Sequence, residues 1–111
     1  MKQEEKDLLL ADLCGRLPYG VKLETLEGPQ KLDLRWLSIN MCNIANPYLP
    51  YLFPISSMTE EQLKLFDGTF LPNGHVVTSD LGLDYLNSIH VDYRGLIPMG
   101  LAIDATNLNI Y

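Results

Sequence analysis

Three closely spaced prolines constrain the middle of this chain more than any other feature. Pro47, Pro50 and Pro54 fall within the segment 43–57, NIANPYLPYLFPISS. Each proline fixes its own φ and pushes the residue before it out of the α-helical region. The segment is therefore predicted to be extended.

Aromatic and aliphatic side chains alternate with these prolines, which favours a strap packed across the core. The stretch 47–50 also matches the PxxP pattern that SH3 domains bind, but no basic residue flanks it. A tyrosine-rich strap can still present an exposed edge to a protein partner. The candidate binding residues in it are Tyr48, Tyr51 and Phe53.

The N-terminal segment predicts a helix over residues 3–14. The leucines that define its buried face, at spacings of three and four, are Leu9, Leu10, Leu13 and Leu17. Gly15 and Pro18 are expected to end the helix. Asp12 and Arg16 are four residues apart, and we expect this pair to be a minor stabilising term.

Between residues 19 and 39 the spacing of apolar residues changes to two, which predicts an antiparallel β-hairpin with a turn at 27–30. The alternating residues of its two strands are Val21, Leu23 and Thr25, then Leu32, Leu34 and Trp36. Alternation with one charged face is typical of half-buried strands. Trp36 is expected in the core.

Farther along, a short helix is predicted at about residues 60–66. Thr59 and Gln62 have the spacing of a capping box, and Met58 and Leu63 are placed to form a hydrophobic staple.

A second hairpin is predicted over residues 69–78, because Pro72-Asn73-Gly74 is a turn signal. Ser79 or Asp80 then caps a helix that reaches about residue 90. The residues spaced by four along one face of this helix are Leu81, Tyr85 and Ile89. The tail, residues 105–111, is expected to fray.

The stretch 81–104 gathers His90, Asp92 and Arg94. We expect Asp92 to cap one further turn, since Pro98 has no N–H and cannot continue a helix. Arg94 is interpreted first as a salt-bridge partner of Asp92, Asp84 or a helix C-terminus. The functional interpretation places Arg94, together with Tyr93, at a partner surface.

No local motif predicts an active site, and no catalytic residue, metal ligand or cofactor is assigned. The best constellation is His90 with Asp84 and Asp92, which leaves a small hydrolase or metal-dependent enzyme as the alternative function. Helical spacing puts Asp84 and His90 on different sides, which disfavours a tight site. His75 is expected to face solvent.

The net charge of −6 makes nucleic acid an improbable partner, because an acidic surface repels phosphate. No apolar run is long enough to span a bilayer, and no secretory signal opens the chain, so a cytoplasmic location is expected. Cys14 and Cys42 are interpreted as reduced, buried and structural, with a disulfide between them left open.

Three segments carry a resemblance to a known group: residues 13–22 (LCGRLPYGVK), residues 50–61 (PYLFPISSMTEE), and residues 84–97, from DYLN to DYRGLI. In this order they resemble small uncharacterised proteins encoded in Bacteroides-type gut bacteria and their phages or other mobile elements. The resemblance covers roughly half of the chain. It implies a mobile-element setting and no particular activity.

The sequence therefore predicts a single α+β domain over residues 1–111, with an N-terminal helix on a small antiparallel sheet and two short C-terminal helices. The predicted function is that of a small, acidic, non-enzymatic accessory or regulatory protein that binds another protein. The resemblance suggests a phage-borne modulator of a host system. A phage structural or assembly component is a further alternative.

Overall fold

The computed structural model describes residues 2–42, 47–71 and 76–111, and its architecture is α+β, as predicted. The helices within these ranges are α1 (Gln3–Arg16), α2 (Leu34–Cys42), α3 (Glu60–Leu65) and α4 (Asp80–Ser88). The strands are β1 (Lys22–Thr25), β2 (Gly28–Lys31), β3 (Tyr51–Pro54), β4 (Gly68–Phe70), β5 (Val76–Thr78), β6 (Val91–Asp92) and β7 (Ile103–Asp104).

The strands form three small sheets. The pairs β1–β2 and β4–β5 are antiparallel hairpins, and the third sheet has the order β6-β3-β7 with both pairings parallel. An antiparallel bridge between Leu23 and Pro50 joins the first hairpin to the chain just before β3. The predicted antiparallel sheet is thus present, but the centre of the fold is a parallel sheet that the sequence did not predict.

Helix α1 packs its leucines into the larger of two apolar clusters. Leu9 and Leu13 are buried there with β1, β3 and the segment that follows the corner at Arg94. The helix runs to Arg16, past the predicted end at residue 14, and a 3-10 turn follows at Leu17–Tyr19. Gly20, with φ of 73°, ends the turn, so the left-handed residue is Gly20 and not Gly15.

The prediction that Leu32, Leu34 and Trp36 lie in the second strand of the first hairpin is wrong. The turn lies at residues 25–28, the pairing stops at Lys31, and the following residues form α2. Asp33 starts this helix, because its carboxylate accepts the N–H of Trp36 at 2.9 Å. Trp36 is buried as predicted, but as a helical residue, whereas Leu34 is exposed.

The proline strap is extended at β3, where prediction and structure agree. Its residues 43–46 lie outside the described part of the chain. Pro50 is fully buried, so the PxxP stretch is packed into the fold and is not displayed as a ligand for an SH3 domain.

Helix α3 begins with the predicted capping box. The Thr59 hydroxyl accepts the N–H of Gln62 at 3.1 Å, and the Gln62 side chain accepts the N–H of Thr59 at 2.9 Å. Both interactions satisfy backbone donors that the first helical turn would otherwise leave without partners.

Replacing Thr59 with alanine is expected to lower the free energy of unfolding by about 1 kcal/mol, because one capping interaction is lost. Urea unfolding of the two proteins measures the difference. Thr59→Asn is the matched control, since asparagine caps as well as threonine. Equal losses for both variants would contradict the capping assignment.

Helix α4 is capped by Ser79, whose hydroxyl accepts the N–H of Gly82 at 3.3 Å. The predicted face is confirmed in part: Tyr85 and Ile89 are half-buried against the second apolar cluster, but Leu81 is exposed. The fully buried residues of the helix are Gly82, Leu86 and Asn87. Gly82 faces Thr78 of β5 so closely that a Cβ atom at position 82 would overlap the Thr78 hydroxyl. The second hairpin is confirmed in β4 and β5, and its predicted turn at 72–74, with His75, lies outside the described residues.

Two further expectations are wrong. Cys14 and Cys42 are free and exposed, so neither is a buried structural residue and no disulfide joins them. The tail is not frayed, because Tyr111 and Ile110 bond back to the body of the fold.

Candidate functional site

The corner that carries Tyr93 and Arg94 is held by Asp92. Its carboxylate accepts the N–H of Leu96 and the N–H of Ile97, both at 2.9 Å. Asp92 is thus the cap of a turn, as predicted, and it is buried at the end of β6. This engagement keeps the carboxylate from orienting His90.

Tyr93 is buried and makes no surface for a partner. Its ring lies between two guanidinium groups, with the Arg16 and Arg94 Cζ atoms 5.0 and 5.2 Å from the ring centre. Its hydroxyl donates to the Asn87 side-chain oxygen at 2.9 Å. These contacts make Tyr93 a structural residue, which corrects its assignment as a binding residue.

Arg94 forms a salt bridge with Asp12, a partner that lies 82 positions earlier in the chain. Arg94 Nε is 3.0 Å from one carboxylate oxygen of Asp12, and Arg16 Nε is 2.8 Å from the other. Arg16 also donates from Nη2 to the Val91 carbonyl at 2.6 Å. One carboxylate therefore binds two arginines.

We define Asp12, Arg16, Tyr93 and Arg94 as the arginine corner. Most of it is buried away from solvent. Asp12 and Arg16 are both 0% exposed, and Arg94 retains 31% exposure. The sequence carries a signal for this burial. Leu9, Asp12, Leu13 and Arg16 follow the three- and four-residue spacing of the buried face, so the charged pair had to be buried with the leucines.

His90 lies behind this corner in a left-handed backbone conformation, with φ of 60°. Its ring stacks on Tyr111, with ring centres 3.9 Å apart and an angle of 13° between the planes. Burial, and then the positive charges of Arg16 and Lys22, lower the pKa of His90 to about 4. The histidine is consequently neutral at pH 7.

These surroundings do not resemble those of a catalytic histidine. The buried Nδ1 atom of His90 has no hydrogen-bond partner among the described residues, so no carboxylate orients the ring. Asp84 is exposed on α4, where its carboxylate interacts with the Tyr19 hydroxyl and raises the pKa of Tyr19. Within the described ranges, no three side chains of His, Cys, Asp or Glu gather closely enough to hold a metal ion.

The predicted binding residues of the strap lie apart from Arg94. Tyr48 is half-buried, packs edge-on against Trp36 with ring centres 5.7 Å apart, and is held at its backbone by Asn40. Tyr51 is buried, which removes it as a surface residue. Phe53 is half-buried beneath Tyr111, with ring centres 5.7 Å apart.

The C-terminal residues Ile110 and Tyr111 bond back to β1 and β3 and cover the Phe53 end of the proline strap. The sequence did not predict these contacts. The Tyr111 hydroxyl accepts the backbone N–H of Lys22 at 2.9 Å and donates to the Tyr51 carbonyl at 2.6 Å. Lys22 Nζ donates to the Ile110 carbonyl at 2.8 Å. Tyr111 as a whole is 43% exposed, but its hydroxyl end is enclosed. This burial raises the pKa of Tyr111 to about 12.

The exposed apolar side chains concentrate around the second hairpin. Of the eleven large apolar side chains that are exposed in the described residues, five lie between positions 63 and 81. They are Leu63, Leu65, Leu71, Val77 and Leu81. Isolated exposed leucines are ordinary, but a concentration of them marks an interaction surface more often.

The two faces of this hairpin differ. Phe70 and Val76 pack into the second apolar cluster, around Phe66 and Leu86. Because successive side chains of a strand point to opposite faces, the Thr69–Val77 pair points outward. Val77 is 59% exposed. The outer face of β5 thus presents an apolar side chain with no covering element in the described part of the chain.

Leu65 and Leu81 are exposed apolar residues that flank the open end of the hairpin in the chain. Leu65 ends α3 three residues before Gly68, and Leu81 lies three residues after Thr78, while Gly68 pairs with Thr78. Leu65 is 70% exposed and Leu81 79% exposed. We call Leu65, Val77 and Leu81, with the carboxylates beside them, the hairpin surface.

Those carboxylates outnumber the basic residues around them. The exposed acidic residues from position 60 to 84 are Glu60, Glu61, Asp67, Asp80 and Asp84. Lys64 is the only lysine or arginine in that stretch. The hairpin surface therefore combines an apolar centre with a negative field.

No family model, curated protein or solved structure matches the chain. Among the described helices, none is both long and apolar enough to cross a membrane.

Proposed function

We propose that the chain is a small, acidic, non-enzymatic accessory protein that binds another protein through the hairpin surface. The observation that carries the proposal is the exposure of Leu65, Val77 and Leu81 within an acidic surround. The predicted tyrosine strap is not part of this surface, because Tyr51 is buried and Phe53 lies under Tyr111.

The negative charge of the hairpin surface favours a basic partner over a second copy of the chain. A second copy of the chain would bring the same five carboxylates against each other with Lys64 as their sole basic residue in the stretch, and like charges across an interface cost several kcal/mol. A partner with lysines or arginines around an apolar pocket fits both the centre and the surround. The setting in a phage or mobile element is supported by the sequence resemblance alone.

The test compares two double variants in affinity capture from a bacterial lysate. Val77→Ser with Leu81→Ser alters the hairpin surface, and Leu26→Ser with Leu34→Ser is the matched control, since Leu26 and Leu34 are also exposed and lie outside the hairpin surface. We expect the first pair to weaken capture of a basic protein at least tenfold, because buried apolar anchors each contribute about 1 kcal/mol or more. The control pair should retain it.

Salt provides the second measurement. Capture by the wild type is expected to fall when the salt concentration is raised from 0.1 to about 0.5 M, because the charge attraction is screened. A captured protein that both double variants retain equally would contradict the proposal. A dimer of the chain itself that Val77→Ser with Leu81→Ser abolishes would replace the foreign partner with a second copy.

A further inference from the structure

We propose that residues 106–111, which follow the buried Ala105, form a C-terminal strap, fastened by Tyr111 over His90 and Phe53, that protonation of His90 releases. This inference uses residues outside the hairpin surface and stands independently of the proposed function. It assigns the chain an acid-sensitive conformational change at the end of the parallel sheet.

Few contacts hold the C-terminal strap against the body of the fold. A segment that opens without global unfolding must be held by few contacts. The Tyr111 hydroxyl joins the Lys22 N–H to the Tyr51 carbonyl, and Lys22 Nζ holds the Ile110 carbonyl. The Tyr111 ring lies on His90. Residues 106–109 are exposed, so the far end of the strap has little apolar burial to hold it.

The surroundings of His90 oppose a positive charge on its ring. The charged groups that face it are basic: Arg16 from α1 and Lys22 from β1. The nearby carboxylate of Asp12 is shared by Arg16 and Arg94, and that of Asp92 binds two backbone N–H groups. The phenol groups of Tyr111 from the tail and of Tyr51 from β3 add no negative charge at neutral pH, because the pKa of each is raised.

The direction of the effect follows from linkage. With the strap closed, the pKa of His90 is about 4, whereas a solvated histidine has a pKa of about 6.5. The open state therefore binds more protons between these two values, and closure weakens as the pH falls through that window. Above about pH 6.5 the closed strap has its full stability.

Release would uncover specific groups. The Lys22 N–H would lose its acceptor, and the rings of Phe53 and His90 would lose the aromatic cover of Tyr111. The end of β3 would then present an apolar and aromatic surface that is closed at neutral pH.

The amide of Lys22 reports on the strap directly, because its hydrogen-bond acceptor is the Tyr111 hydroxyl. We expect its hydrogen-exchange protection factor to fall about tenfold or more between pH 7 and pH 4.5, after correction for the intrinsic exchange rate. The amide of Leu32, bonded to the Val21 carbonyl, reports on global unfolding, which protonation of His90 also favours, so its protection factor should exceed that of Lys22 at both pH values.

Two variants separate the histidine from other titrating groups. In His90→Asn the residue still tolerates a positive φ but cannot be charged, so Lys22 protection should fall much less between pH 7 and pH 4.5 than in the wild type. Tyr111→Phe should lower Lys22 protection at every pH. Wild-type Lys22 protection that equals that of Leu32, or that does not fall with pH, or an equal fall in His90→Asn, would overturn the proposal.

Discussion

Replacing Asp12 with asparagine is expected to lower the free energy of unfolding by about 3–5 kcal/mol. The Asp12 carboxylate is the counterion of Arg16, which is 0% exposed, and of Arg94. Asparagine has nearly the same shape but no charge, so it leaves a buried guanidinium uncompensated. Urea unfolding followed by circular dichroism measures the loss.

Asp7→Asn is the matched control on the same helix. Asp7 is exposed, and its carboxylate accepts one hydrogen bond from Gln3. Its replacement should change the free energy of unfolding by no more than about 0.5 kcal/mol. The double variant Asp12→Leu with Arg16→Met should lose less than Asp12→Asn, because both fully buried charges are then gone. A loss below about 1 kcal/mol for Asp12→Asn would show that water screens the corner.

Two glycine-to-alanine substitutions in helices are expected to have opposite effects. Gly82→Ala should lower the free energy of unfolding by about 1–3 kcal/mol, because the new methyl group overlaps the Thr78 side chain in a packed site. Gly15→Ala should raise it by about 0.5–1 kcal/mol. The nearest atom to a Cβ at position 15 is Asn87 Nδ2 at 3.8 Å, an ordinary contact.

The opposite signs make this pair informative, since helix propensity alone predicts a gain for both variants. Thermal and urea unfolding of the two variants in parallel measure the changes. A stabilised Gly82→Ala protein would mean that β5 and α4 are not in close contact. That result would also weaken the placement of Leu81 beside the second hairpin.

Local sequence patterns predicted the parts of the fold that local interactions determine. The Thr59–Gln62 capping box, the Asp92 cap and the face of α1 all depend on residues within five positions of each other. The error at α2 has the same origin. Leu32, Leu34 and Trp36 alternate, but Asp33 stands three residues before Trp36 at the spacing of a helix cap, and the cap prevails.

The candidate site was harder to predict because its contacts are long-range. Arg94 was expected to pair with Asp84 or Asp92, whereas Asp12 lies 82 positions away. Tyr111 bonds to groups 89 and 60 positions earlier. The hairpin surface had no periodic signal, because Leu65, Val77 and Leu81 belong to three separate elements.

The position of β3 at the centre of the parallel sheet affects how the chain is made. Its partners, β6 and β7, begin at Val91 and Ile103, which are 37 and 49 residues after Pro54, the last residue of β3. During synthesis from the N-terminus, β3 is complete before either neighbour has been made. Until they arrive, both of its edges carry free backbone donors and acceptors, which can pair with another chain. The slow, aggregation-prone stage of folding therefore ends only when the last strand is added.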